Sequence, residues 1–183
     1  MYKLTKIVFI AGIFFILNAC ANYKPQYKNQ NTNSVFPNKE IEHSFYLIGD
    51  AGNSPIGTSS KALQAFKEEL SKASKNSTAI FLGDNIYPKG LPKKEEEGRG
   101  FAEHQLNVQT DAVKGFKGEA IFIPGNHDWY SDGLEGLKRQ EKYIENKLGK
   151  NTFLPENGCP IEKVNISDKI VMIVVDSEWY LTD

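Results

Sequence analysis

Asp50, Asp84, Tyr87, Asn126 and His127 are the side chains of this sequence best able to hold a cation or move a proton. Each follows a short apolar run: SFYLIGD, AIFLGDNIY and AIFIPGNHD. A fourth run, IVMIVVD, ends at Asp176. Carboxylates brought together cost energy, since two like charges ~5 Å apart at an effective dielectric of ~20 repel by about 3 kcal/mol. Asp50 and Asp84 on neighbouring strands would therefore need a cation, a shared proton or intervening solvent. Oxygen and imidazole donors suit a hard or borderline metal ion. Tyr87 fits the same chemistry, because a phenol with a free pKa of ~10 becomes a good ligand only where a Lewis acid helps remove its proton.

Taken singly, these residues have plainer uses. Asp50 and Asp84 can be turn or cap residues after strands, Tyr87 can cover core, and Asn126, His127 and Asp128 can form a simple turn. Asp176 and Glu178 read as a solvated strand end. His43 stands ahead of the first strand and His104 on an exposed helix. The run Lys93 to Glu97, KKEEE, reads as a solvated loop.

The elements that must position these residues alternate along the chain. Strands are expected at Ser44 to Gly49, Thr78 to Leu82 and Ala120 to Ile123, with helices at Ser59 to Lys75, Phe101 to Lys114 and Leu134 to Leu148. Ala62, Leu63, Phe66, Leu70 and Ala73 share one face of the first helix, and Leu137, Ile144 and Leu148 one stripe of the third. Ile161 to Ile166 and Lys169 to Val175, joined by Ser167 and Asp168, have the form of a hairpin. The order predicts an α/β layered domain with a largely parallel sheet and flanking helices. Carboxyl ends of parallel strands, ~4.8 Å apart, are where α/β sheets bind ligands, so the polar strand ends can converge.

The motifs IGDAG (Ile48 to Gly52), LGDNIY (Leu82 to Tyr87) and PGNHD (Pro124 to Asp128), in that order, resemble the first three motifs of the calcineurin-like metallophosphoesterases. Gly83, Asp84 and Tyr87 in a GDxxY pattern, and Asp50-x-Gly52 in place of Asp-x-His, are similar to the purple acid phosphatase branch. The resemblance spans Ser44 to about Trp179. It implies the N-terminal half of a β-sandwich core and hydrolysis of a small phosphate ester at two divalent or trivalent metal ions, Fe, Zn or Mn. It assigns Asp50 and Tyr87 to one metal, Asp84 to a bridge and Asn126 to the second metal. His127 would contact the phosphoryl oxygens or protonate the leaving group, with Asp128 orienting His127. Gly83 and Gly125 would let the backbone turn before each ligand.

The family pattern also includes histidines in two later motifs, VxxH and GHxH. This sequence contains three His and none after His127. The expectation is accordingly an N-terminal portion of a phosphoesterase domain, inactive alone. A non-catalytic surface lipoprotein binding metal or a partner is the alternative.

The chain has 183 residues, 40% hydrophobic, enough for one domain with a real core. A formal net charge of -1 supplies no basic footprint, so nucleic acid is not an expected partner. GDAGNSPIG matches neither GxGxxG nor a P-loop. Lys3 and Lys6 precede the unbroken apolar run Ile7 to Leu17, short of the ~18 residues of a membrane span and suited to a signal peptide. Leu17 to Cys20 resembles a bacterial lipobox, which implies lipidation at Cys20 and a membrane-anchored lipoprotein of a bacterial cell envelope. The other cysteine, Cys159, then has no disulfide partner and packs or sits in a turn beside Pro160. Residues 1–19 are read as a lipoprotein-type signal peptide, 20–40 as anchor cysteine and flexible tether, and 41–183 as the phosphoesterase domain.

Overall fold

The computed structural model describes residues 39–181. The signal peptide, Cys20 and nearly all of the tether lie outside the described residues. Among the described residues, no helix is long and apolar enough to cross a membrane.

The first strands, β1 (Ser44–Ile48), β2 (Ser77–Leu82) and β3 (Glu119–Ile123), form a parallel sheet in the order β1-β2-β3. The helices between them are α1 (Lys61–Lys72) and α2 (Arg99–Ala112), and after β3 come α3 (Asn126–Trp129) and α4 (Gly133–Leu148). The fold is thus α/β with a parallel sheet flanked by helices, as the alternation of elements implies. Two short 3-10 turns and a separate antiparallel pair, β4 (Ile161–Asn165) and β5 (Val171–Val175), complete the chain. The hairpin loop is longer than the sequence suggests, running from Ile166 to Ile170, with the Ile166 N–H donating to the Ile170 carbonyl.

Strand periodicity decides which residues meet the helices. Ala79 and Phe81 of β2 and Phe122 of β3 are buried with Leu63, Leu70, Leu106, Leu137 and Ile144 of the helices in one cluster. Phe81 and Phe122 stack at 4.1 Å between ring centroids, which locks the β2–β3 register from inside the core. On the opposite face, Ile121, Leu154 and Val174 form a second cluster with Met172 and Val164 packed against it, and so seat the hairpin. Helix α1 starts at Lys61 because Ser60 caps it, its Oγ accepting the Leu63 N–H. Ala62, expected on the buried face, is exposed. The KKEEE run is solvated, and exposed Cys159 follows a 3-10 turn.

Candidate metal centre

The polar strand ends come together. Asp50 and Asp84 follow β1 and β2 in the left-handed region, at φ 54° and 51°. Asp tolerates this conformation better than most residues, and such strain concentrates at functional sites. The two turns are tied by main-chain bonds: the Asp50 N–H donates to the Gly83 carbonyl, the Gly52 N–H to the Asp84 carbonyl and the Tyr87 N–H to the Gly52 carbonyl, at 3.2, 3.0 and 3.0 Å. A Cβ at Gly52 would strike the backbone of Asn85 and Ile86. Gly83 has φ 90°, and a Cβ there would lie 2.8 Å from Gly125 Cα. These contacts explain why the motifs require glycine at both places.

The Tyr87 hydroxyl lies 2.6 Å from Asp50 Oδ1 and 2.7 Å from Asp84 Oδ2. A phenol has one proton, so it cannot donate to both carboxylates at once. The hydrogen bonds to Asp50 and then Asp84 hold that proton and raise the phenol pKa well above its ordinary value. A cation among the three oxygens would replace the missing proton and favour the phenolate, so the donor set fits a hard or borderline metal. Among the described residues no group of three or more His, Cys, Asp and Glu side chains is placed to hold a metal ion. The convergent donors instead include a phenol.

Asn126 opens α3, and its Nδ2 donates to the Tyr130 hydroxyl at 2.6 Å. The His127 N–H donates to Asp84 Oδ1 at 3.1 Å. His127 Nδ1 lies 2.8 Å from the Pro88 carbonyl, which can only accept. Nδ1 therefore carries a proton, and Nε2 remains for other chemistry. The imidazole sits between the rings of Tyr87 and Tyr130, at 4.4 and 5.0 Å. A cavity of about 530 Å³ is walled by Asp50, Asp84, Asn126, Tyr130, Asp176 and Glu178, a size suited to a small ligand. Tyr87 and His127 border the carboxylates from outside that wall.

Asp128 does not orient His127, contrary to the sequence expectation. It is fully buried, and its carboxylate accepts from the N–H groups of Asn85, Ile86 and Gly125 and from the Asn85 and Gln140 side-chain amides. Consecutive residues on a helix point about 100° apart, which takes Asp128 into the core while His127 stays at the surface. Burial pushes the Asp128 carboxyl up to about 6, with hydrogen bonds from Gly125, Asn85 and Gln140 opposing that rise. Asp176 also departs from expectation: it is 2% exposed and accepts the Trp129 indole N–H at 3.0 Å. His43 and His104 take structural partners, Thr78 Oγ1 and the Pro55 carbonyl.

Sequence reasoning missed the amides beneath the site. Gln109 donates to the Asn85 carbonyl and Gln140 to Asp128, both fully buried. Their signal was present, because Gln140 interrupts the apolar stripe of Leu137 and Ile144, and Gln109 continues that of Ala102 and Leu106.

A parallel sheet that gathers oxygen donors beyond its strand ends defines an α/β domain built around a ligand site at that edge. The chain belongs to the calcineurin-like phosphoesterase family, whose model matches residues 43–173. Membership marks it, in general terms, as a metal-dependent phosphoesterase, in a family that usually uses a pair of divalent metals. No curated protein and no solved structure matches the chain significantly.

Proposed function

We propose that the domain hydrolyses small phosphate esters at a binuclear centre of the purple acid phosphatase-like kind. Asp50 and Tyr87 would hold one ion, Asp84 both and Asn126 the second, the ions being Fe, Zn or Mn. The observation carrying this reading is the approach of Asp50 and Asp84 to a single phenol, where one proton serves two carboxylates. When bound, such a metal pair supplies Lewis acidity that lowers the pKa of water and neutralises charge at the phosphoryl group.

The residues divide the remaining work. Asp84 is held at both ends, its carbonyl by the Gly52 N–H and its Oδ1 by the His127 N–H, so its second oxygen keeps a fixed direction. With Nδ1 turned to the Pro88 carbonyl, Nε2 is the nitrogen from which His127 would pass a proton to a leaving alkoxide. Histidine ligands of the VxxH and GHxH kind would have to come from outside these 183 residues. In a chain extended to carry them, Asp84→Asn should lose more than the ~10–100-fold in metal affinity typical of losing an outer partner, and phosphoesterase turnover with it. Unchanged metal content with normal turnover contradicts the assignment.

The anchoring reading rests on Lys3, Lys6, the apolar run Ile7 to Leu17 and the LNAC stretch ending at Cys20. The proposal is a lipoprotein held at a bacterial envelope membrane by Cys20. Cys20→Ser should release the protein from the membrane fraction or block its maturation, and undiminished membrane association refutes it.

A further inference from the structure

We infer that Tyr130 is a positioning residue that presents the Asn126 amide oxygen to the metal site. This rests on the reading of Asn126 as a ligand. The two residues are four apart, with Tyr130 in helical geometry at the C-cap of α3, so their side chains lie on one face. The Asn126 Nδ2 donates to the Tyr130 hydroxyl at 2.6 Å. Asn126 is exposed, and no other side chain bonds its amide among the described residues. Without that acceptor, an exposed amide rotates freely and can turn nitrogen, which is no metal ligand, toward the cations. With Nδ2 committed to Tyr130, Oδ1 is the atom left for coordination.

Tyr130 is suited to the task. Its ring lies 5.0 Å from the His127 ring, and the His127 backbone is bonded in turn to Asp84, so the phenol is referenced to the same carboxylate that anchors the site. Both Asn126 and Tyr130 wall the cavity that contains Asp50 and Asp84. Because the hydroxyl accepts from Asn126, its own proton is free to donate into that cavity.

The test is a double-mutant cycle on a chain extended to carry the two histidine motifs, with Mn²⁺ alone as the probe and free Mn²⁺ followed by electron paramagnetic resonance. Tyr130→Phe keeps the ring and removes the acceptor. It should raise the Mn²⁺ Kd by ~10–100-fold in the wild-type background and leave it unchanged in Asn126→Ala. Equal loss in both backgrounds would make Tyr130 merely structural and overturn the inference. If Asn126→Ala weakens binding and Tyr130→Phe does not, the inference fails and the ligand reading stands. Absence of Mn²⁺ binding, or binding indifferent to Asn126→Ala, overturns the ligand reading and the inference with it. A second measurement needs no metal: side-chain couplings of Asn126 by NMR should report one rotamer in the wild type and averaging in Tyr130→Phe. Averaging already present in the wild type contradicts the proposal.

Discussion

Asp128 and Asn85 are joined twice, the Asp128 Oδ2 accepting both the backbone N–H and the side-chain Nδ2 of Asn85, at 3.1 and 3.2 Å. The same oxygen accepts the Gly125 N–H at 2.8 Å, so one buried carboxylate ties the Asp84-bearing turn to the Asn126-bearing one. Asp128→Ala would leave the N–H groups of Asn85, Ile86 and Gly125 without their acceptor, at a cost of about 1–3 kcal/mol for each unsatisfied group. Urea unfolding should therefore show a loss of at least about 3 kcal/mol. Stability within about 0.5 kcal/mol of wild type would contradict the role, since that is the range of a neutral surface change.

His127 should separate proton transfer from metal binding. In a chain extended to carry the two histidine motifs, His127→Ala should keep most of its metal while turnover falls by ~10²–10⁴ on an alkyl ester whose alkoxide needs a proton. An aryl ester with an activated phenolate should be slowed much less. Equal slowing of both esters together with metal loss would make His127 a ligand instead.

Asp176 gives the fold a pH dependence of defined sign. Burial raises its carboxyl above the ordinary range, the Trp129 indole opposing it. A raised native pKa means that the group's contribution is fully present below the unfolded value of ~3.9 and is lost as pH rises through the native value. Asp176→Asn cannot titrate. The stability difference, wild type minus variant, should therefore shrink as the pH rises above about 4 in urea titrations. A difference that grows over this range contradicts the assignment.

Much of the site was legible because its donors follow short apolar strands, and parallel pairing of β1, β2 and β3 brings those ends together without further information. The motif glycines were legible for the same reason, as points where two turns pass too closely for a side chain. Contacts made across the chain were not. Asp176 reads as solvated until Trp129, far away in sequence, is folded against it. Asp128 reads as a partner of His127 because they are adjacent, although a helical turn sends adjacent side chains in different directions. The short helix α3 also escaped notice, since NHDW has no apolar period of its own and is held by the core around Trp129.

The central claim is that Asp50, Asp84 and Tyr87 form a cation site, and the state of the Tyr87 proton tests it most directly. Ultraviolet difference spectra of the full chain at neutral pH, titrated with Zn²⁺, should show a tyrosinate band on adding metal. Without metal the hydrogen bonds to Asp50 and Asp84 keep the proton on the phenol. Tyr87→Phe should abolish that band and weaken Zn²⁺ binding. A spectrum unchanged by Zn²⁺, with the same Zn²⁺ affinity in Tyr87→Phe as in the wild type, would contradict the account.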